Sequence, residues 1–239
     1  VDSEHSAIFQ CLAGEWDNPI EEIVLTASGG PFRGRSRADL AQVTRAQALK
    51  HPNWEMGAKI TIDSASLMNK GLEAIEAKWL FHLRPEQIRI VVHPQSIVHG
   101  IVQFRDGSMK AQMGLPDMKL PILYALSYPE RPATPWPRFD FARFPSLTFE
   151  QPDLGAFRNL ALALDAMNMG GNAPCVLNAA NEVAVELFLN DRIGFLEMSD
   201  LVGDVLARTN FAARPTLADL EATDAEARRL AMEWKPVNA

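Results

Sequence analysis

The alternation of apolar and polar positions in the first half of the chain predicts an α/β fold with a mixed sheet. Residues 23–26 and 88–92 are short β-like runs. Residues 97–104 and 109–113 are two more, and the Asp-Gly pair at 106–107 between them is a strong two-residue turn signal. Because a hairpin occurs among strands and helices, we expect a mixed sheet with flanking helices instead of a purely parallel one.

The same pattern predicts a strand followed by a helix in the middle of this region. Residues 60–63 read Ile-Thr-Ile-Asp, which is typical of a short strand. A helix is predicted to open at Ser64 and to cover about residues 65–81. Its apolar stripe is expected to be the buried face. This stripe consists of Met68, Leu72, Ile75 and Trp79.

The second half of the chain changes in character twice. Six of the 16 prolines fall within residues 129–152, and proline removes backbone donors and fixes φ, so an extended connector is predicted there. Beyond it, residues 156–169 and 173–189 have helical patterns. The caps predicted for a third and a fourth helix are Ser199 and the pair of Thr223 and Glu226. Four short amphipathic helices predict a small bundle.

These patterns together predict three parts in the chain. Residues 1–128 form the mixed-sheet domain, residues 129–153 are the proline-rich connector, and residues 154–239 are a small α-helical domain. Because the sequence begins with Val1 and not with Met, we expect it to be a piece of a longer protein.

Composition and charge exclude several classes of protein. A net charge of -7 and a pI of about 5.3 argue against a protein that coats nucleic acid or an anionic membrane. The apolar runs are far shorter than the roughly 18 residues of a membrane-spanning helix. Only Cys11 and Cys175 occur, and their distant spacing gives neither a zinc site nor a disulfide framework, so a reducing cytoplasm is the simpler interpretation. An anionic ligand would have to be captured by a local arrangement.

Three carboxylates are candidate ligands of a divalent cation. Asp2 and Glu4 are separated by one residue, and on a strand this spacing points both side chains to the same side. Crowded carboxylates repel one another unless they are protonated or bridged by a cation. Glu73 on the predicted helix would complete a hard oxygen site for Mg²⁺ or Mn²⁺. From spacing alone, a solvated strand end explains Asp2 and Glu4 more simply.

A second set of residues suits a phosphate group. Ser64, Asn69 and Lys70 surround the start of the predicted helix, where N–H groups favour an anion and Lys70 adds a point charge. Ser28, beside two glycines, could close the other side. Asn69 and Glu73 lie off the apolar stripe with Lys70 beside them, so we expect this face to point away from the core. The alternative is an ordinary N-cap followed by a surface lysine.

A loop with Pro and Gly precedes the predicted helix. Residues 51–57 read His-Pro-Asn-Trp-Glu-Met-Gly, and His51, Trp54 and Met56 could form a lid over a ligand. The alternative is that Trp54 belongs to the core, which is the commoner place for such a residue.

Seven stretches of sequence, from the first residue into the C-terminal helices, carry a more specific signal than any spacing. They are residues 1–10 (VDSEHSAIFQ), 28–32 (SGGPF), 51–57 (HPNWEMG), 63–73 (DSASLMNKGLE), 93–99 (HPQSIVH), 116–118 (PDM) and 177–182 (LNAANE). In these stretches the chain resembles the 1-deoxy-D-xylulose 5-phosphate reductoisomerase family.

The resemblance implies an NADPH-dependent enzyme of the methylerythritol phosphate route to isoprenoids. Such an enzyme rearranges 1-deoxy-D-xylulose 5-phosphate and reduces the resulting aldehyde to 2-C-methyl-D-erythritol 4-phosphate. Residues 1–128 would then be the catalytic and dimerising domain, with Mg²⁺, Mn²⁺ or Co²⁺ as the cation. The implied protein is a homodimer of the bacterial cytoplasm that binds a small sugar phosphate and neither nucleic acid nor membrane.

By position, the resemblance assigns roles to individual residues. The implied metal ligands are Asp2, Glu4 and Glu73. The implied catalytic residues are Glu4, His51 and Lys70. The implied substrate-binding residues are Ser3, Glu4, Ser28, His51, Trp54, Ser64, Asn69, Lys70 and Glu73. The implied contacts near the nicotinamide are Gly57, Pro116 and Met118.

The resemblance also indicates what residues 1–239 do not carry. The family begins with a Rossmann domain, and no Gly-x-Gly-x-x-Gly occurs in this sequence, so we expect the main NADPH site to lie outside it. Two other classes stay open: a metal-dependent sugar-phosphate aldolase or isomerase without a nicotinamide, and a catalytically silent dimerisation module. A Gly-rich βαβ unit upstream in the full gene would reject the first. The intact Asp2, Glu4, Glu73 and Lys70 argue against the second.

Overall fold

The computed structural model describes residues 1–52 and 56–236, which form two compact units. The first unit is Val1–Gly29 with Ala77–Pro152, and the second unit is Gly30–Glu76 with Asp153–Ala239. These boundaries differ from the sequence-based ones, because residues 30–76 cluster with the C-terminal helices and the proline-rich stretch clusters with the sheet. The division into a catalytic and a helical domain by role stays a prediction.

The first unit is built on the mixed sheet that the sequence predicts. Its strands are β1 (Ile20–Ala27), β2 (Ile88–Val92), β3 (Val98–Phe104) and β4 (Met109–Met113). They lie in the order β2-β1-β3-β4, and β1 runs parallel to β2 and antiparallel to β3. The predicted hairpin joins β3 and β4, with Gly107 at a φ of 84°. Mixed α/β architecture is thus confirmed.

The first residues of the chain form a helix, so the prediction of a strand there was wrong. Helix α1 (Ser3–Leu12) buries Ala7, Ile8, Cys11 and Leu12, a helical spacing that the three-residue Asp-x-Glu pattern does not reveal. It packs on β3, where a Cβ on Gly100 would be 3.0 Å from Ile8 Cδ1. The absent side chain at Gly100 therefore allows the close approach of helix and sheet.

The proline-rich stretch follows a helix that the sequence analysis did not predict. This helix, α6, is Lys119–Ser127, and residues 129–149 that follow it contain no helix or strand. His93 fastens the stretch to the sheet: its Nδ1 lies 2.8 Å from Thr148 O, and its Nε2 accepts from the Ile97 N–H at 3.1 Å. Burial holds the pKa of His93 below its usual value, which favours the neutral ring that both bonds require.

The second unit begins with short helices. They are α2 (Arg37–Leu40), α3 (Arg45–Ala48), α4 (Ala58–Ala65) and α5 (Met68–Leu80), whose residues after Glu76 cluster with the first unit. The strand predicted for residues 60–63 was wrong, because that segment is the middle of α4. Ile62 is fully buried and Ile60 is exposed, and contacts with the C-terminal helices outweigh the β-propensity of Ile-Thr-Ile.

Four C-terminal helices of 12 to 17 residues confirm the predicted bundle. They are α7 (Arg158–Met169), α8 (Ala173–Leu189), α9 (Phe195–Arg208) and α10 (Leu217–Met232). Gly170, with a φ of 67°, ends α7 as expected. Both predicted caps were wrong. Ser199 is buried inside α9, and the N-cap of α10 is Thr216, seven residues before Thr223. No helix in residues 1–52 and 56–236 is long and apolar enough to cross a membrane.

Candidate functional site

The first turns of α5 carry a buried cluster of polar side chains. Lys70 Nζ lies 2.5 Å from Glu73 Oε2, and Asn69 Nδ2 donates to Glu73 Oε1 at 2.6 Å. Lys70 is only 4% exposed and Glu73 only 3%. Within the second unit, the Glu73 carboxylate therefore accepts a charge-assisted hydrogen bond from Lys70 and a second hydrogen bond from the side-chain amide of Asn69.

The expectation that these residues face away from the core was wrong. Lys70 and Glu73 are buried, whereas Trp79, which was assigned to the apolar stripe, is 69% exposed. Small residues set a separate contact of this helix. A Cβ on Gly71 would be 2.3 Å from Ala163 Cβ, so α5 and α7 approach too closely for a bulky side chain at this point.

Ser64 lies near the end of α4 and does not open a helix as predicted. The N-cap of α4 is Gly57, which the resemblance places near the nicotinamide. The argument that a phosphate binds at a helix N-terminus next to Ser64 therefore does not hold. Ser64 instead lies beside the turn from α4 to α5, and a Cβ on Gly30 would be 2.8 Å from its carbonyl oxygen. Gly30 has a φ of 63°, which fits the close approach.

His51 is half-buried in the second unit, and burial lowers its pKa below the usual value. A neutral imidazole can donate from one ring nitrogen and accept at the other. Trp54, assigned to the lid, falls within residues 53–55 and thus outside the described residues. The lid that residues 51–57 could form over a ligand stays a prediction.

The first unit holds the other candidate ligands. Asp2 is the N-cap of α1, and its Oδ2 lies 3.5 Å from His5 Nδ1. Ser3 Oγ donates to Glu4 Oε2 at 2.6 Å. Asp2 and Glu4 thus stand at the start of a helix, and the side chains of Ser3 and Glu4 are in direct contact.

The remaining candidates of the first unit lie in loops at the ends of elements. Ser28 follows the last residue of β1 and is half-buried. Pro116 and Met118 lie between β4 and α6, and Met118 is the N-cap of α6. The positions are compatible with ligand contacts, and the assigned roles of these three residues stay predictions.

The structure brings some predicted site residues together within each unit. Asn69, Lys70 and Glu73 form one cluster, and Ser3 and Glu4 form another. The convergence of Asp2, Glu4 and Glu73 on one cation stays a prediction, as does the anion pocket that would add Ser28 to Ser64, Asn69 and Lys70.

One buried polar pair was missed by the sequence analysis. Asp63, 1% exposed, accepts a hydrogen bond from Asn181 Nδ2 at 2.8 Å, and its other oxygen lies 2.7 Å from Lys59 Nζ. Asn181 is fully buried in α8. Both residues fall within stretches that carry the family resemblance, residues 63–73 and 177–182, and this was the only available signal. No local sequence pattern can pair two residues that are 118 positions apart.

A four-stranded mixed sheet and a C-terminal bundle of helices define the chain as an α/β protein. Two family models match it: the 1-deoxy-D-xylulose 5-phosphate reductoisomerase C-terminal domain over residues 1–81, and the DXP reductoisomerase C-terminal domain over residues 113–230. The chain belongs to the 1-deoxy-D-xylulose 5-phosphate reductoisomerase family.

Individual relatives agree with this assignment. The chain is 63% identical over 236 residues to the 1-deoxy-D-xylulose 5-phosphate reductoisomerase of Bacteroides thetaiotaomicron, covering 99% of this chain and 60% of that protein. Among solved structures, the enzyme from Zymomonas mobilis in complex with NADPH is 46% identical with a TM-score of 0.88, covering 97% of this chain and 60% of that one. A DOX-P reductoisomerase with NADPH, fosmidomycin and magnesium is 39% identical with a TM-score of 0.86, covering 97% and 61%. The chain thus spans about 60% of the length of the relatives it matches.

Proposed function

We propose that this chain is the metal- and substrate-binding part of an NADPH-dependent reductoisomerase. The complete protein would convert 1-deoxy-D-xylulose 5-phosphate into 2-C-methyl-D-erythritol 4-phosphate in non-mevalonate isoprenoid biosynthesis. The names of the relatives support this reaction, and structures similar to the chain contain NADPH, fosmidomycin and magnesium.

The observation that carries the proposal is the cluster of Asn69, Lys70 and Glu73, in which Lys70 and Glu73 are buried. Removing an ammonium and a carboxylate from water costs several kcal/mol per ion, and an apolar pair of similar size packs at least as well. Packing alone therefore does not explain a Lys70–Glu73 pair with both side chains about 5% exposed or less. A requirement for substrate and cation binding does explain it.

We assign the cation to Asp2, Glu4 and Glu73. Their ligand atoms are all carboxylate oxygens, the donor type that suits Mg²⁺ and Mn²⁺, and Co²⁺ is the third candidate. When bound, the cation would supply Lewis-acid polarisation of the carbonyl and hydroxyl oxygens of the substrate. Ser3 restrains the Glu4 carboxylate through its 2.6 Å hydrogen bond, which orients one of these ligands.

We assign the phosphate of the substrate to Ser28, Ser64, Asn69 and Lys70. An ammonium, an amide and two hydroxyl groups are suitable partners for a phosphate dianion. Anchoring this end of the substrate would orient the reacting carbons, which are remote from it. His51, whose burial lowers its pKa and thus favours the neutral ring, would bind the substrate as a hydrogen-bonding group, and Trp54 would cover the site.

The nicotinamide end of NADPH would lie near Gly57, Pro116 and Met118 in this proposal. NADPH would supply the hydride for the reductive step. No Gly-x-Gly-x-x-Gly occurs in residues 1–239, so the pyrophosphate is expected to bind elsewhere in the complete protein.

We further propose a homodimer in the bacterial cytoplasm. Support for the dimer comes from the hairpin of β3 and β4: β4 is an edge strand of the sheet, and Met109 and Met113 on it are 53% and 40% exposed. The bacterial relatives and the two free cysteines fit a reducing compartment. Sedimentation of a Met109→Lys, Met113→Lys double variant tests the surface, and an unchanged dimer would count against it.

Turnover by the full-length natural protein tests the proposed reaction. With 1-deoxy-D-xylulose 5-phosphate, Mg²⁺ and NADPH, we expect NADPH oxidation that chelation of the cation abolishes. Turnover of the substrate without NADPH would favour the aldolase or isomerase alternative. Lys70→Ala should raise KM strongly, because it removes a contact that holds the substrate in every state along the reaction.

Lys78→Ala is the matched control for Lys70→Ala. Lys78 lies on the same helix, and its Nζ lies 5.5 Å from the centroid of the exposed Trp79 ring. We expect its KM to equal that of the unaltered enzyme. Equal KM values for Lys70→Ala and Lys78→Ala would contradict the assignment of Lys70 to the phosphate.

A further inference from the structure

The buried pair of Asp63 and Asn181 has no assigned role in the reaction. Asp63 is in α4 and Asn181 in α8, and their 2.8 Å hydrogen bond joins two segments 118 residues apart. Burial raises the pKa of Asp63, and the charge of Lys59 together with the Asn181 bond opposes that rise. A carboxylate at this depth is costly for packing alone, so a purely structural role is a weak explanation.

The amide of Asn181 adds a second cost. Its Oδ1 is buried and has no hydrogen-bond donor among the described residues. An orphaned buried oxygen costs stability that an apolar side chain of similar size would not. Only the Nδ2 bond to Asp63 uses the polarity of this side chain in the described structure, so this bond is what the residue provides.

Asp63 is also fastened to the turn that follows it. Ser66 Oγ donates to the Asp63 carbonyl at 3.3 Å and accepts from the Met68 N–H at 3.4 Å. Leu67 between them is buried and has a φ of 60°, a conformation that persists only where its surroundings enforce it. The turn from α4 to α5 is therefore held in a strained geometry by contacts that start at Asp63.

This turn determines where the proposed phosphate-binding residues stand. Ser64 is the residue after Asp63, and Asn69 and Lys70 are the second and third residues of α5. Gly30 covers the Ser64 carbonyl from another side. A shift of Asp63 would move Ser64 relative to Lys70. A displacement of about 1 Å in a binding residue is enough to weaken the binding of a ligand.

We propose that Asp63 and Asn181 are positioning residues, which hold the proposed phosphate-binding residues in place. Asn181, in the helical bundle, holds Asp63 and thereby fixes the turn that carries Ser64, Asn69 and Lys70. The inference rests on the proposed function and adds to it a role for helix α8 in substrate affinity. Neither residue touches the reacting atoms, so the effect is on substrate binding first.

The test compares three variants of the full-length enzyme. Asn181→Leu keeps the number and branching of the side-chain heavy atoms and removes the hydrogen bond. We expect KM for the sugar phosphate to rise about tenfold while kcat changes less than about threefold. Asp63→Asn retains an oxygen that can accept from Asn181, so its KM should stay within about threefold of the unaltered enzyme. Asn178→Leu is the matched control on α8: its amide donates to Glu182 of the same helix, and KM should not change.

Two further measurements separate positioning from stability and from the proposed reaction. Calorimetric titration with fosmidomycin should show the same tenfold loss of affinity for Asn181→Leu. Hydrogen exchange of residues 64–70 without any ligand should become faster in Asn181→Leu than in Asn178→Leu at equal melting temperature. The exchange readout needs no turnover, so inactivity of the unaltered enzyme would overturn the proposed function alone.

The outcome that overturns the inference is equally definite. Unchanged KM, fosmidomycin affinity and exchange in a folded Asn181→Leu protein would show that the pair is structural only. If Asn181→Leu does not fold, the milder Asn181→Ser takes its place with the same expectations. A tenfold rise of KM in Asn178→Leu would also overturn the inference, because the effect would then not belong to the bond with Asp63.

Discussion

Helix α5 buries a charged pair in its first turns, whereas the buried side chains of helix α9 are mainly apolar. The buried residues of α9 include Phe195, Met198, Leu201, Val202 and Val205. At the start of α5, by contrast, Lys70 and Glu73 are buried beside Gly71 and Ala74. Helix α9 thus follows the rule that apolar residues face the core, and α5 breaks it where the proposed ligands lie.

Each helix also carries a glycine and an ion pair, which makes the comparison quantitative. A Cβ on Gly71 of α5 would lie 2.3 Å from the Cβ of Ala163, whereas a Cβ on Gly203 of α9 would lie 3.0 Å from the guanidinium of Arg158 and 3.7 Å from Leu162 Cδ2. The ion pair of α5 is buried, whereas that of α9, between Asp200 and Arg158, is about 40% exposed on both sides. If α5 is shaped by function and α9 by packing, equivalent substitutions should have different consequences in the two helices.

The largest effect is expected from breaking the buried pair. Glu73→Leu leaves the Lys70 ammonium buried without its carboxylate and should lower the free energy of unfolding by about 3–5 kcal/mol. The double variant Lys70→Met, Glu73→Leu should regain the stability of the unaltered protein or be more stable than it by about 1–4 kcal/mol, yet stay inactive. Urea unfolding measures the stability of both variants, and NADPH oxidation measures their activity. An active double variant would show that the charged face of α5 does not serve catalysis.

The next effect concerns the apolar face of α9. Leu201 is fully buried, and Leu201→Ala should cost about 2–5 kcal/mol through lost transfer energy and the cavity left behind. Below the melting temperature, KM for the sugar phosphate should equal that of the unaltered enzyme. A large rise of KM in this variant would mean that α9 is not only a packing helix.

The two glycines give a smaller difference, of opposite sign. Gly71→Ala places a Cβ 2.3 Å from Ala163 Cβ and should cost about 1–3 kcal/mol, because helices must move apart. Gly203→Ala meets the tip of a flexible side chain at 3.0 Å and should gain about 0.5–1 kcal/mol from helix propensity. Thermal or chemical unfolding of both variants decides. Equal losses would show that α5 is not packed more tightly than α9.

The sequence was informative where pattern and burial coincide. Strands β1 and β2, the β3–β4 hairpin and the ends of α7 were predictable from alternation, a turn pair and glycines. Helices α1 and α4 were not predictable in this way. A three-residue pattern and an Ile-Thr-Ile run each indicated a strand, whereas the helices are stabilised by packing that local sequence does not reveal. For α4 that packing comes from α8, more than 100 residues later in the chain.

The candidate site was predictable in its residues and not in its geometry. Asn69, Lys70 and Glu73 were identified through a motif, but the burial of Lys70 and Glu73 depends on tertiary packing, which no local pattern records. Asn181 was missed for the same reason, since its partner Asp63 is distant in sequence. Local periodicity indicates which face is apolar, and it cannot indicate that tertiary packing will bury a charged face.

The smallest effect is expected at the exposed ion pair of α9. Asp200 Oδ1 lies 2.5 Å from Arg158 Nη1 and 3.8 Å from Arg37 Nη2, but its side chain is 42% exposed. Water and salt screen such a pair, so Asp200→Asn should cost no more than about 1 kcal/mol at low ionic strength, and less at 1 M salt, where the screening length falls to about 3 Å. The free energy lost in Glu73→Leu should by contrast change little with salt, because that pair is buried. Urea unfolding at both salt concentrations makes the comparison, and a salt-independent loss of several kcal/mol for Asp200→Asn would erase the difference between the two helices.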